Sequence, residues 1–407
     1  MRSPSGSRSV WPLLKRIAVL PATLLVLSAH ADPATDWNQR TIELTVAAGL
    51  GNESTHRAAA IAHTAAFQAV QALGPRASRP AIEAALAAAH CTALGQLLPA
   101  AQHAAADTTC KPVLAAIAAG SDKDAGVEAG ERAAREVLAR RADDGASAAE
   151  TYRPFTTPGR FVPPAVPATP QWGQRKPWLM KTASQFRPPA PPALTSERWA
   201  RDFAEVKALG SARSSVRSAE QTDIARFWSA QQAATFYSLL RGVAERPGRD
   251  LLRNVRLFAA FTQAVDDAMV AAWDAKYHYG FWRPITAIRN ADQDGNDATE
   301  IDPGWTPLIN TPVHPEYPCA ACVQAGVASA ILSAEVGSGV QTPPLAAQSL
   351  AVRGAARRWP TVDAMLREVS DARVLGGMHF RFSNEASIEM GRAVGTLALR
   401  HFALEQP

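Results

Sequence analysis

The sequence predicts an all-α fold, organised as a single large helical bundle domain over residues 32–407. Alanine-rich stretches between Trp37 and Arg141 carry apolar residues at three- and four-residue intervals, the spacing of amphipathic helices. Helical patterning resumes at Ser196, after a proline-rich interruption. Because no flexible linker separates two candidate cores, one domain is the simpler interpretation.

The N terminus has the features of a secretory signal peptide, residues 1–31. Basic residues precede an apolar run from Ile17 to Leu27, and Ala29-His30-Ala31 has the small-residue pattern of a cleavage site. The run is too short to span a bilayer, and no other stretch approaches ~18 uninterrupted apolar residues. We therefore expect export to the periplasm or medium, cleavage after Ala31, and no transmembrane segment after cleavage. A buried N-terminal helix is the alternative.

The charge balance gives little indication of a polyanionic partner. The chain has 42 basic and 37 acidic residues, a net charge of +5. Residues 1–31 contain four of the basic residues and no acidic ones, so the net charge without them is about +1. The basic isoelectric point is therefore partly a property of the leader, and we expect no nucleic-acid or membrane partner.

The alanine-rich region is interpreted as a scaffold. Four histidines lie in it, but none has a second candidate metal ligand at a three- or four-residue spacing. We expect packed or surface side chains at these positions: His56, His63, His90 and His103.

A proline-rich segment, residues 153–193, interrupts the helical pattern. Eleven of the thirty prolines lie between Pro154 and Pro192, a density that excludes helix and regular sheet. A disordered linker is the alternative, but interleaved phenylalanines and tryptophans argue against it. We predict an ordered segment that wraps over the helical body and contributes one wall of a pocket.

The candidate site lies in residues 276–387. Lys276 and Arg283 are seven residues apart in a stretch that reads as one long helix stopped by Pro284, so both side chains would leave the same face. Two such cations can close on one small anion.

Two further blocks add to this cationic pair. Pro318 opens an alanine-rich helix, whose first N–H groups would point at a bound anion. Arg373 lies six residues before His379. Together the blocks predict a site for phosphate or a chemical analogue of it.

These blocks resemble the signature of the vanadium-dependent haloperoxidase and type 2 phosphatidic acid phosphatase superfamily. Lys-x6-Arg-Pro is complete, and the arginine and histidine of the last block keep the family spacing. The upstream sequences QWGQRKPWLM, SQFRPPAPPAL and SAEQTDIARFW are similar to those of secreted bacterial haloperoxidase-related members. The resemblance implies the helical bundle fold of this superfamily.

The resemblance also implies roles for individual residues. His379 would be the nucleophile that forms a phosphohistidine, or the ligand of vanadate if that cofactor is bound. The oxyanion would be held by the cationic side chains and by the helix start: Lys276, Arg283, Arg373, Ala320 and Ala321.

Two positions depart from the family pattern. Ala321 stands where the family has its acid–base histidine, and Ser383 where it usually has an aspartate. His278 and His314 are the candidate substitutes by position. We expect weakened turnover, with three hypotheses open: a phosphatase for phosphomonoesters, a haloperoxidase using vanadate and peroxide, or a non-catalytic oxyanion-binding relative.

Four cysteines allow three pairings in an exported chain. Local pairing is favoured, joining Cys91 to Cys110 and Cys319 to Cys322, both as structural disulfides. A zinc site with four thiolates and a redox role for the C-x-x-C pair are the alternatives.

Overall fold

Helices make up most of the chain, which confirms the all-α prediction. The structure, a computed structural model, describes residues 32–230, 232–352 and 354–404; the predicted signal peptide lies outside these ranges. The described helices are α1 (Pro33–Ala47), α2 (Asn52–Leu73), α3 (Arg79–Leu97), α4 (His103–Ala116), α5 (Ser121–Arg141), α6 (Glu197–Gly210), α7 (Ala219–Phe227), α8 (Gln232–Ala244), α9 (Leu251–Tyr279), α10 (Pro284–Arg289), α11 (Ala320–Val336), α12 (Val362–Leu375) and α13 (Arg381–His401).

Strand structure in the described ranges is confined to one small antiparallel pair. β1 (Leu345–Gln348) pairs with β2 (Ala356–Trp359), with Leu345 opposite Trp359. This hairpin packs beside α8. It does not alter the helical architecture.

Capping residues explain where several helices begin. The Asp32 carboxylate accepts hydrogen bonds from the Ala34 and Thr35 N–H groups, and Pro33 occupies the first position of α1. At the start of α9, the Asp250 carboxylate accepts from the Arg253 N–H at 2.9 Å. These side chains satisfy N–H groups that the helix itself leaves without acceptors.

The centre of the bundle is α9, which is buried on nearly every side. It packs against α2, α11 and α13. Apolar side chains along its length are fully buried, among them Phe258, Val265 and Trp273. Because other helices enclose it, α9 provides a rigid base for the residues at its C-terminal end.

Close helix contacts depend on small residues. Where α13 crosses α11, a Cβ atom on Gly391 would collide with the carbonyl group of Val323. Only glycine allows the two backbones this near. The contact fixes the start of α11 against α13, which matters for the site described below.

The wrapping segment, residues 153–193, is packed on α9 as predicted. Its regular structure within this range is a short 3-10 helix, Pro170–Gln174. The Arg175 guanidinium pairs with the Asp266 carboxylate at 2.7 Å. Asp267 accepts three successive backbone N–H groups, from residues 178–180. Two adjacent carboxylates of α9 thus anchor the segment.

The residues from Asp32 onward form one compact unit. Among the described helices, none is both long enough and apolar enough to cross a bilayer.

The structure contains one of the two predicted disulfides. Cys91 and Cys110 are bonded and join α3 to α4, as predicted. The predicted Cys319–Cys322 disulfide is wrong: both residues are thiols, with their sulfur atoms 2.9 Å apart. That separation is a hydrogen-bond distance, because a disulfide bond is about 2.05 Å long. Local spacing predicts that two cysteines meet, but it does not specify their oxidation state.

Candidate oxyanion site

His379 lies between a carboxylate and a guanidinium. Its Nδ1 is 2.9 Å from Oε1 of Glu316, and its Nε2 is 3.1 Å from Nη1 of Arg283. Arginine only donates hydrogen bonds, so Nε2 is the acceptor and the imidazole proton is on Nδ1, facing the carboxylate. His379 therefore presents an unprotonated Nε2 to a cationic group. Burial, with the positive charge of Arg283, holds the pKa of His379 well below its ordinary value.

The turn between α12 and α13 places His379 beside Arg373. Gly377 has a φ of 74°, a left-handed conformation that glycine adopts without strain. The backbone N–H groups of Met378 and His379 then donate back to the Arg373 carbonyl. The six-residue spacing noted in the sequence thus corresponds to a tight turn.

Glu316 supplies the carboxylate expected at position 383. It is fully buried, and its Oε1 also accepts the Phe380 N–H at 3.0 Å. Burial raises the pKa of Glu316 to about 8, against the lowering effects of Arg283 and Lys276. The expectation that Ser383 leaves His379 without a carboxylate is wrong, because the carboxylate comes from a different segment. The sequence did contain a signal for this carboxylate, because Glu316 lies within the block HPEYP.

Arg283 is not on the helix of Lys276, contrary to prediction. α9 ends at Tyr279, Gly280 follows with a φ of 55°, and Pro284 starts α10. Glycine just past a helix and proline at a first helical position are ordinary stop and start signals. Arg283 is held instead by carbonyl groups: Nε donates to His314 and Nη1 to Met378, each at 2.9 Å. Burial lowers the pKa of Arg283 to about 10.

Lys276 organises the loop that carries Glu316. Its Nζ donates to the carbonyl groups of Pro315, Glu316 and Pro318. An ammonium group has three N–H donors, so all three are engaged within the protein. Lys276 contributes positive charge to the site, while its hydrogen bonds fix the loop.

Arg373 keeps a donor available. Its Nη1 donates to the Trp228 carbonyl at 2.7 Å, and its Nη2 contacts the Met378 sulfur at 3.0 Å. Within the described residues, its Nε has no hydrogen-bond partner although the side chain is buried. A buried donor without an acceptor is costly, so an anion would stabilise it.

The start of α11 is the remaining part of the candidate site. Cys319 is the N-cap residue, and its own N–H donates to the Ser387 hydroxyl at 2.7 Å. Ala320 and Ala321 are the first helical residues, and their N–H groups have no acceptor within the helix. The Ala321 methyl group is buried among Cys319, Cys322 and Ile388.

The two candidate substitute histidines have different surroundings. His314 is in the site: its Nδ1 is 3.0 Å from Nη2 of Arg283, and its ring packs against that of Trp273 with the ring centroids 4.9 Å apart and the planes tilted by 45°. Burial and the charges of Lys276 and Arg283 hold its pKa well below the ordinary value, so it is neutral at neutral pH. His278 is exposed and packs on Tyr279, so the prediction of His278 as a substitute is wrong.

Residues 256–404 match a family model described as the VCPO second helical-bundle domain. Over 91% of the chain, the fold superposes with a TM-score of 0.75 on the first bacterial vanadium-dependent iodoperoxidase structure. The chain therefore has the fold of the bacterial vanadium-dependent haloperoxidases. The iodoperoxidase match covers 96% of that chain at 21% sequence identity.

Two other vanadium haloperoxidase structures match over similar lengths. An apo-type bacterial vanadium-dependent chloroperoxidase gives a TM-score of 0.71 at 18% identity, covering 87% of this chain and 94% of that one. The holo-type chloroperoxidase gives 0.68 at 17% identity, covering 87% and 93%. No curated protein sequence matches the chain. The residues around His379 all lie within the range that matches the vanadium haloperoxidase family model.

Proposed function

We propose that the protein is an exported oxyanion-binding phosphatase of the vanadium haloperoxidase fold. It binds phosphate between His379, Arg283 and Arg373, and hydrolyses phosphomonoesters that have good leaving groups through a phosphohistidine at His379. The observation that carries this proposal is the line of contacts from Glu316 through His379 to Arg283.

The proposed reaction begins with the unprotonated Nε2 of His379. Nε2 attacks phosphorus, the bond from phosphorus to the ester oxygen breaks, and the leaving group departs as an anion that takes a proton from water. Water then attacks the phosphohistidine, which releases phosphate and restores the imidazole. Glu316 accepts a hydrogen bond from the Nδ1–H group of His379 throughout, which orients the ring and stabilises positive charge on it.

The cationic groups stabilise negative charge on the phosphoryl oxygens. Arg283 already donates to Nε2, so it is positioned to shift its donor to an oxygen bound there. Arg373 offers its unpartnered Nε. Charge-assisted contacts directed at developing negative charge provide the largest contribution to catalysis of phosphoryl transfer.

The leaving group determines which substrates react. The Ala321 methyl group cannot protonate an ester oxygen, and His314 is neutral at neutral pH. General acid help is typically worth ~10²–10⁴ in rate. Substrates such as nitrophenyl phosphates, whose leaving groups are stable anions, are therefore favoured over alkyl phosphates.

Vanadate-dependent halide oxidation is the second candidate, favoured by the fold match to vanadium-dependent peroxidases. The residues fit vanadate as an oxyanion, because His379 offers one oriented nitrogen and Arg373 a donor without a partner. His379 would be its ligand, with Arg283 and Arg373 at the oxygens. Bound vanadate would supply activation of peroxide towards halide.

Kinetics with p-nitrophenyl phosphate test the first candidate. We expect measurable hydrolysis that is inhibited by vanadate, far slower reaction with an alkyl phosphate, and loss of activity in His379→Asn. An exposed histidine, His278, provides the matched control as His278→Asn. Equal rates for the His379 variant and the unaltered protein would exclude this mechanism.

Peroxide, bromide and vanadate with a dye substrate test the second candidate. Halogenation only with vanadate would favour the haloperoxidase. Vanadate binding by calorimetry without either activity would leave a non-catalytic oxyanion-binding protein.

A further inference from the structure

Two thiols at the start of α11 have no role in the proposed phosphatase. Cys319 caps the helix and Cys322 lies in its first turn, with their sulfur atoms 2.9 Å apart. The Cys322 N–H donates to the Cys319 sulfur at 3.3 Å. Both side chains are fully buried. The two sulfur atoms are therefore placed to form a disulfide bond, and their burial shields them from large reagents.

The surroundings make the two thiols unequal. Burial opposes ionisation of Cys319, but its hydrogen bonds with Cys322 and the charge of Arg373 outweigh this and lower its pKa to about 7. Burial and the neighbouring Cys319 raise the pKa of Cys322 well above its ordinary value. Cys319 is thus the thiolate and Cys322 the protonated thiol.

Arg373, one of the residues of the proposed phosphate site, also acts on this pair. Its Nε is buried and has no acceptor among the described residues. Its charge acts on Cys319.

We propose that Cys319 and Cys322 form a dithiol centre that reduces hydrogen peroxide, with Cys319 as the attacked thiol and Cys322 as the resolving thiol. The inference uses neither His379 nor a bound oxyanion, although Arg373 is common to this centre and to the proposed phosphate site. Full burial of both sulfur atoms favours hydrogen peroxide over bulky organic hydroperoxides.

The first step oxidises Cys319. Its thiolate attacks one peroxide oxygen, a sulfur–oxygen bond forms, and the oxygen–oxygen bond breaks. The leaving hydroxide takes a proton to become water, and Cys319 becomes a sulfenic acid.

The second step closes a disulfide. Cys322 gives up its proton and its sulfur attacks that of Cys319; the sulfur–oxygen bond breaks, and the hydroxide leaves with the proton as water. Overall, two electrons pass from the dithiol to the peroxide. The sulfur atoms must approach from 2.9 Å to about 2.05 Å, within one helical turn. An external dithiol reductant restores both thiols by exchange.

The test uses the full mature chain, reduced under conditions that leave the Cys91–Cys110 bond intact, without vanadate or halide. On addition of hydrogen peroxide we expect two thiols to be lost, one peroxide consumed per chain, and a disulfide between Cys319 and Cys322 in peptide mass spectrometry. Oxidation should be about tenfold faster than that of free cysteine at neutral pH, because a larger fraction of Cys319 is ionised.

Two isosteric variants assign the roles. Cys322→Ser should accumulate a sulfenic acid on Cys319, which dimedone labels once the peroxide is removed and the chain is unfolded in the reagent, whereas Cys319→Ser should consume no peroxide. Circular dichroism of each variant checks folding. If either variant is unfolded, peptide mapping of the unaltered protein after one equivalent of peroxide decides the question.

Three outcomes would overturn the proposal. Both thiols could stay reduced in excess peroxide. Dimedone could fail to label a Cys322→Ser variant that was folded during the peroxide treatment and then unfolded in the reagent. The pair could also be isolated as a disulfide that a dithiol reductant does not open in the native protein, which would make it structural.

Discussion

Glu316 and His379 are 63 residues apart in sequence, yet Oε1 and Nδ1 lie 2.9 Å apart in a fully buried contact. The carboxylate fixes the tautomer of the imidazole and directs its Nε2 lone pair towards Arg283. The loop 315–318 and the turn after α12 therefore act as one unit, and Lys276 holds the loop in place.

The first prediction concerns the pH profile of turnover. Burial raises the pKa of Glu316 to about 8. Ionisation of Glu316 should make His379 more basic, so kcat should increase as pH rises through about 8. In the Glu316→Gln variant, kcat should no longer increase with pH. At pH 9 its kcat should be at least about tenfold lower than that of the unaltered protein, with KM little changed. Glu385→Gln, at an exposed position of α13, is the control. An identical profile in both variants would contradict a positioning role for Glu316.

The second prediction concerns stability. The folded-state pKa of Glu316 is raised from 4.5 to about 8, so the folded state binds the proton more tightly than the unfolded state. The stabilisation from this proton is complete below pH 4.5 and is lost as pH rises to about 8. The difference in unfolding free energy between the protein and Glu316→Gln should change across this window. A difference that is constant with pH in denaturant titrations would show that Glu316 titrates normally.

The third prediction concerns anion affinity. Arg373→Ala should weaken phosphate and vanadate binding by roughly 10–100-fold, because a hydrogen bond to a charged group contributes about 1.5–3 kcal/mol. Arg367→Ala is the matched control, since Arg367 is exposed on the same helix. Isothermal calorimetry measures both, with competition between the two anions. Unchanged affinity in a folded Arg373→Ala protein would place the anion elsewhere.

The fourth prediction restores the missing acid. Ala321→His should raise kcat for phosphomonoesters ~10²-fold with little change in KM, because an acid–base group acts on the transition state. Adding Ser383→Asp should bring no further gain, since Glu316 already occupies Nδ1 of His379 and position 383 is fully buried. Steady-state kinetics with an alkyl phosphate give the most sensitive measurement. A folded, vanadate-binding Ala321→His variant without added activity would favour the non-catalytic alternative.

The fifth prediction concerns the disulfide between α3 and α4. It closes a loop of 19 residues, so Cys91→Ala with Cys110→Ala should cost about 3 kcal/mol in the chain-entropy description. The denaturant midpoint should fall accordingly. Cys319→Ser, which removes a sulfur but no covalent bond, is the control. Equal midpoints for all three proteins would mean that the bond constrains the unfolded chain little.

The helical architecture was predictable because it depends on local patterning. Apolar residues at three- and four-residue intervals specify which faces are buried, and proline density specifies where helices are excluded. We also expected Arg283, Arg373 and His379 to share one site, because the blocks that contain them resemble the superfamily signature.

Contacts between residues of different sequence blocks could not be predicted from local patterning. The Glu316 carboxylate reaches His379 through a loop, so no helical or strand period connects the two residues. The apolar pattern around Arg283 suggested a continuing helix and obscured the stop signal at Gly280 and the start signal at Pro284. Arg283 reaches His379 although it is not on the helix of Lys276, because the carbonyl groups of His314 and Met378 hold its guanidinium in place.

The wrapping segment also contains a position at which the backbone can be divided into two fragments. Its exposed stretch includes Val166, which is 84% exposed. On one side, the Phe161 N–H donates to the Gly280 carbonyl at 2.7 Å. On the other, the Ala168 N–H donates to the Val313 carbonyl at 2.9 Å. A break in the backbone at Val166 would thus leave both new ends attached to the same body. Polypeptides 32–165 and 166–407, synthesised separately, should reconstitute by fragment complementation, with every residue of the oxyanion site carried on the second.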